Sequence, residues 1–252
     1  MDNSTELDTK SKIQSFWAST LHKSVDGAAL KESKKVRQQH RWVTDPSRLL
    51  TGRDYINSIK LRIDALPVRS RTSRRRERDR MCRGGCNKIE TLHHVLQDCH
   101  RTHQWRIKRH DATTNYVLRI IKAKFDQVLI EPHIMSEDCG LQKPDVVACR
   151  NNSVLVLDTQ VVGEQTDLDA AHKRKAQQYA HLRPLLAEKY QSDDVQFTSI
   201  TLSARGLWSE KSLKEVTELG IVGAKDIKIL SSRTIIGGLN CFHKFMKTTS
   251  CK

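Results

Sequence analysis

The sequence predicts an α/β fold in which a small mixed sheet, flanked by helices, follows a metal-binding module and a helical, basic arm. Three observations carry that expectation. In the second half, short apolar runs rich in Val, Ile and Leu end beside aspartates and alternate with charged helical stretches. Near the middle, three cysteines and a histidine fall within eighteen residues. The basic excess is confined to the first half.

The chain carries 44 Lys and Arg against 29 Asp and Glu, a net charge of +15. Residues 1–125 hold 28 basic and 13 acidic residues, while residues 126–252 hold 16 of each. That asymmetry suits a nucleic-acid-binding arm ahead of a near-neutral catalytic domain. At 252 residues the chain can bury a sizeable core, but 37% hydrophobic and 5% aromatic residues are low for one globule, so part is expected to be arm or linker. An apolar run of about 18 residues and a signal-peptide pattern are both missing, which argues against a membrane partner and against secretion. Seven cysteines, an odd number with three at metal-ligand spacing, fit reducing surroundings better than a disulfide scaffold.

The catalytic expectation centres on residues 143–175. Val154 to Leu157 is an apolar run ending at Asp158, with Val161 and Val162 beyond, and reads as a buried strand. Asp145 precedes a second apolar pair, Val146-Val147, and Asn151-Asn152-Ser153 is a turn signal, so the two runs form a hairpin. Its length brings Asp145 and Asp158 to the same end of the sheet. Neighbouring carboxylates repel unless a divalent cation lies between them. With Lys175 on the following helix to position a water or phosphate, this is the inventory of a metal-dependent phosphodiesterase. A lone strand-end aspartate is usually a turn residue facing water; the pair, its spacing, Pro144 and the helix distinguish this one. Glu131, ending a predicted strand at Val128 to Ile130, is either a further acid for the metal or an ordinary strand-end glutamate.

The second constellation is Cys82-x3-Cys86-x7-His94-x4-Cys99. Four soft or borderline ligands in two close pairs suit tetrahedral zinc. Gly84-Gly85 lets the backbone fold around the ion, and Thr91 to Leu96 reads as a helix start presenting His94, with His93 as competitor. A closed set of four leaves no place for a reacting water, so this zinc is structural or nucleic-acid-holding. Ahead of it, Arg69 to Arg80 holds seven arginines, among them Arg74, Arg75 and Arg76. Such density favours phosphate contacts and is equally compatible with nuclear localisation. Behind it, Arg106, Lys108 and Arg109 are interleaved with Trp105, a pattern suited to nucleic acid.

The remaining elements are plainer. Ile13, Phe16, Trp17, Leu21 and Val25 mark an amphipathic helix, and Tyr55, Ile56, Ile59, Leu61 and Ile63 a second, closing at Leu66-Pro67. Tyr116 to Phe125 predicts a third. Asp167 and Asp169 open the charged helix that carries Lys175, with Tyr179 one turn on, and Arg183-Pro184 ends or kinks it. Val195 to Leu202 is a strand whose terminus presents Arg205 as a candidate phosphate contact. Leu213 to Leu219 is a helix stopped by Gly220, and a last helix from Lys225 to Met246 is broken at Gly237-Gly238.

Lys143-Pro144-Asp145, twelve residues, Asp158-x-Gln160-Val161-Val162, then Asp167-Leu168-Asp169-Ala170-Ala171-His172-x-x-Lys175 resembles the restriction-like endonuclease of R-two-clade non-LTR retrotransposons, within the PD-(D/E)xK superfamily. The superfamily lysine usually stands where this chain has Gln160; in the retrotransposon branch it moves to the following helix, which matches Lys175, with Lys173 as alternative. The Cys-Cys-His-Cys knuckle and Arg106 to Asp111 match the same family, and the resemblance spans roughly residues 25–240. It implies a restriction-endonuclease-like domain at residues 112–252, an arginine-rich segment and zinc knuckle at 69–111, and at 1–68 a helical linker following a polymerase whose catalytic motif this chain lacks. It also implies Mg²⁺ or Mn²⁺ at Asp145 and Asp158, structural Zn²⁺ at the knuckle, and nicking of nuclear, nucleolar ribosomal DNA to prime reverse transcription. Implied partners are double-stranded target DNA, element RNA and the polymerase portion. The alternative is a non-enzymatic nucleic-acid-binding fragment using the knuckle and arginine arm.

Overall fold

The computed structural model describes residues 9–24, 27–45, 50–73, 78–137 and 139–249. Helix α1 (Lys10–Lys23) forms as its periodicity predicts, but Ile13, Phe16, Trp17 and Leu21 all remain exposed. A single turn α2 (Arg41–Thr44) buries Trp42, and α3 (Gly52–Arg62), capped by the Thr51 hydroxyl, buries Leu61. The turn α4 (Arg69–Thr72) leads into the knuckle, and α5 (His103–Lys122) follows it. This helix begins well before the predicted Tyr116 and runs through residue 111 without a break.

Strands β1 (Gln127–Ile130), β4 (Val146–Arg150), β5 (Ser153–Val162) and β6 (Asp194–Ser203) build a four-stranded sheet in the order β1-β4-β5-β6. The first two pairings are antiparallel and β5–β6 is parallel, which makes the sheet mixed, as expected. A small antiparallel pair, β2 (Ile134–Ser136) and β3 (Gly140–Gln142), lies outside it. Asn151 and Asn152 both take positive φ, +46° and +62°, the backbone of a two-residue hairpin turn. The register that follows pairs Val146 with Leu157 and so sets Asp145 beside Asp158.

Alternation along the strands gives the sheet two apolar faces. Val146, Ala148, Leu155, Leu157, Ile200 and Leu202 pack against α5, α8 (Glu210–Glu218) and α9 (Ala224–Thr249). Val147, Val154, Val156 and Val195 pack on the other face against Tyr179, Leu182 and Leu186, around α6 (Leu168–Gln178) and α7 (Arg183–Tyr190). The α6 helix stops at Gln178, earlier than predicted. Pro184 then sits in the first turn of α7, where its missing N–H costs nothing, so Arg183-Pro184 begins a helix instead of ending one.

The Gly237-Gly238 pair does not break α9, which is continuous over 26 residues. A Cβ on Gly237 would meet Arg109 Cγ at 2.4 Å, and one on Gly238 would meet Leu61 Cδ1 at 3.1 Å. The glycines therefore let neighbouring elements approach the helix; packing outweighs their poor helix propensity. Gly206 is constrained more tightly, with φ +73° and a virtual Cβ 2.7 Å from Ser231 O. Gly206→Ala is expected to cost about 2 kcal/mol or more through the combined strain, read as a lowered midpoint in chemical unfolding.

Candidate active site and metal centre

At the open end of the hairpin each aspartate accepts a backbone N–H beside the other. Asp145 N donates to Asp158 Oδ1 at 2.9 Å, and Thr159 N donates to Asp145 Oδ2 at 2.7 Å. Lys175 Nζ reaches Asp158 Oδ2 at 2.8 Å, whereas Lys173 is exposed and makes no such contact. Tyr179, the residue that caps the C-terminus of α6, donates to Lys143 O at 3.1 Å, and its ring lies 5.6 Å from Lys175 Nζ. His110, which no local pattern in the sequence joins to the aspartates, places Nε2 3.6 Å from Asp145 Oδ2 and 3.0 Å from Thr159 O. Its separation from Asp145 in sequence hid it. Glu131 does not join the pair. It has φ +46° and forms an ion pair with Lys143 at 2.6 Å.

Seating Lys175 requires α6 to dock on a polar stretch of sheet. His172 Nδ1 lies 2.9 Å from Ser199 Oγ, which lies 2.9 Å from Thr201 Oγ1. Gln160 donates to Thr201 Oγ1 at 2.8 Å and to Ala171 O at 3.1 Å. These buried groups satisfy one another, so the helix has one low-energy seat. Gln160 thus holds the helix that carries Lys175.

Burial and the charge of Asp145 hold the Asp158 carboxyl above its ordinary range, against the pull of Lys175. At Asp145 burial pushes the same way, but the neighbouring His110 and the hydrogen bond from Thr159 N–H outweigh it, and its carboxyl is held below the ordinary range. His110 is pushed up to about 9, chiefly by the Asp145 carboxylate beside it, against its own burial. Asp158 is 2% exposed, and its Oδ2 faces the Lys175 ammonium. A buried carboxylate pair driven apart in this way is a chemical fit for a divalent cation.

The knuckle is built around a bridge between Met81 and Ile89. Cys82, Cys86, His94 and Cys99 bring one ligand atom each to within 4.8 Å of one another. Both ring nitrogens of His94 are buried without a hydrogen-bond partner, and a Cβ on Gly84 would lie 3.3 Å from the sulfurs of Cys82 and Cys99. The sulfur separations of 3.9 and 3.5 Å bracket the tetrahedral edge of about 3.8 Å implied by Zn–S bonds of ~2.3 Å. The four residues therefore fit zinc. His93 is turned away, near Gly163 and 3.9 Å from Asp98, while His100 Nδ1 lies 3.1 Å from Cys86 Sγ as an outer partner. Burial drives the Cys99 thiol up to about 12, so metal binding must displace a proton there.

No protein-family model matches the chain. It is 41% identical over 96% of its length to the retrovirus-related Pol polyprotein from type-2 retrotransposable element R2DM of Drosophila melanogaster. Against the Pol polyprotein from type-1 retrotransposable element R2 of Nasonia vitripennis the figures are 34% over 96%, and against one from Popillia japonica 30% over 94%. The chain is a homologue of R2 retrotransposon Pol polyproteins. It spans 23% and 24% of the first two relatives and 49% of the third.

Within this R2 homologue the candidate nucleic-acid contacts fare unequally. Arg74, Arg75 and Arg76 lie outside the described residues. Arg106 is half-buried on α5. Arg109 is buried, its Nη2 donating to Gln97 Oε1 at 2.5 Å, and is not displayed as a surface arginine. Arg205 corrects the expectation of a phosphate contact. It is 1% exposed and ion-paired with Glu164 at 2.5 Å and Asp64 at 3.2 Å, because the β6 terminus turns under the N-terminal helices. Arg62 lies beside it and is depressed to about 9 by burial and by the Arg205 charge.

Glu90 anchors the knuckle. Wholly buried, it accepts a bifurcated hydrogen bond from Arg83 Nε–H on both oxygens and one at 2.6 Å from Nη2, plus the Arg83 and Arg69 backbone N–H groups. Burial alone would raise its carboxyl, but these donors outweigh it and hold it below the ordinary range. Its stabilising contribution is therefore complete at neutral pH and lost as pH falls through its folded-state pKa, below about 4.5. Glu90→Gln should cost about 2–3 kcal/mol at pH 7 by leaving Arg83 underpaired and should flatten the acid limb of a stability-versus-pH curve.

Proposed function

We propose that this chain is the endonuclease portion of an R2-type element, cleaving one strand of double-stranded DNA by metal-dependent phosphodiester hydrolysis. The observation that carries the reading is the Asp145–Asp158 pair, locked by reciprocal backbone hydrogen bonds and met by Lys175. Mg²⁺ or Mn²⁺ held by these two carboxylates would neutralise charge on the scissile phosphate and acidify a bound water. Lys175, 28% exposed at its side chain, reaches the pair from the solvent side and steadies developing negative charge or orients the nucleophile. His110 holds Asp145 in place from α5, and Tyr179 closes the opposite wall.

In this reading residues 112–252 form the restriction-like domain and residues 69–111 the arginine-rich segment and zinc knuckle. Residues 1–68 link to a polymerase portion, and α5 ties knuckle and nuclease through one helix. The target is ribosomal DNA in the nucleus, nicked to prime reverse transcription, with element RNA and the polymerase as partners. The closed knuckle ligand set also favours a second reading, a nucleic-acid-binding fragment without catalysis.

Nicking of a supercoiled plasmid carrying the ribosomal sequence separates the two. Wild type with Mg²⁺ should nick, no nicking should occur without added divalent ion, and Asp158→Ala should abolish cleavage with DNA binding intact. Lys175→Ala should lower the cleavage rate about 10²- to 10³-fold. Binding without cleavage in wild type would leave the fragment reading.

A further inference from the structure

A cavity of about 480 Å³ opens between the knuckle turn, α5 and the end of β5, lined chiefly by Gln97, His103, Arg106, Arg109, His110 and Val161. Among the described residues no carboxylate lines it. Among the described residues neither Arg106 nor Arg109 forms an ion pair. Arg109 is 3% exposed, and its Nε and Nη1 are buried without acceptors, as is Arg106 Nε. Arg106 Nη2 meets only His103 Nδ1, at 3.3 Å. Burying a guanidinium without a counter-charge is costly, and an unpaired positive charge in a low-dielectric wall projects its field into the adjoining space. Such a cavity is electrostatically complete only with an anion in it.

The cavity is also tied to the carboxylate pair. His110 lines it and reaches Asp145. Gln97 lies between the ligands His94 and Cys99; its Oε1 accepts from Arg109, and its Nε2 donates to Val161 O at 3.2 Å. Val161 stands on β5, three residues past Asp158. One side chain of the knuckle thus joins the buried guanidinium to the strand that carries the second carboxylate.

We propose that this cavity is a subsite for a backbone phosphate of the bound DNA, next to the scissile position, with Arg106 as its accessible donor and Gln97 as the residue that positions Arg109. The assignment of the neighbouring phosphate as scissile rests on the nuclease reading above. The knuckle's part is then to complete one wall of the substrate channel. A second cavity, on the far side of α5 and lined by Trp105, Lys108, Arg233 and Asn240, shares Arg109 with the first but not Arg106 or Gln97; Lys108→Ala removes the same charge from the same helix there and supplies the control.

The test is binding of a short fluorescein-labelled DNA duplex by anisotropy across a salt series, without added divalent ion. Arg106→Ala should weaken binding about tenfold and lower the slope of log K against log salt by about 0.9, the loss of one phosphate contact. Gln97→Leu should shift both in the same direction while retaining the zinc content of wild type. Lys108→Ala should leave the slope near wild type. Unchanged affinity and slope in Arg106→Ala, or an equal loss in Lys108→Ala, would overturn the subsite. Absence of nicking in any protein would count against the nuclease reading alone, because the binding readout needs no cleavage.

Discussion

Two carboxylates held side by side at a buried strand end are the constraint on which the rest of the molecule depends. Burial and mutual repulsion both oppose the charged pair, and the fold opposes them with directed hydrogen bonds from Asp145 N–H and Thr159 N–H. That geometry exists only because the Asn151-Asn152 turn sets a register in which Val146 faces Leu157. A slip of one residue would turn the apolar side chains to the wrong faces and part the aspartates. The hydrophobic pattern of β4 and β5 and the chemistry at their end are thus one specification.

The lysine is supplied less directly. Helix α6 crosses a patch of sheet that carries Gln160, Ser199 and Thr201 in place of apolar residues, and His172, itself 3.0 Å from Glu215, completes the network. A greasy contact would let the helix slide, because apolar packing is weakly directional. A satisfied polar network fixes both its position and its rotation, so Lys175 faces the pair and Lys173 faces solvent.

The knuckle packs into a core of its own, which α9 links to the core beneath the sheet. Leu92, Val95 and Leu96 of the knuckle pack with Leu61, Ala204, Leu239, Phe242 and Phe245 in one cluster, and Arg83 lies over the Phe245 ring. The long α9 reaches both this cluster and the one beneath the sheet. A metal at the four ligands would therefore stabilise more than a local loop, since its binding free energy adds to that of the elements it organises.

Local spacing marked Cys82, Cys86, His94 and Cys99 as a cluster and placed the hairpin, its two aspartates and the charged helix that follows, because each is written in local periodicity or in short separations along the chain. Tertiary structure decided the rest. His110 reaches Asp145 from a distant helix, and Gln97 bridges the knuckle to β5; neither leaves a local mark in the sequence. Arg205 carries the same charge as a phosphate-binding arginine, and only the presence of Asp64 and Glu164 beside it makes it structural. Gly237 and Gly238 look like a helix break until the neighbours that need their missing side chains are known. The common physical reason is that backbone preference and hydrophobic period are properties of a segment, whereas the partner of a buried charge is set by which segments the fold brings together.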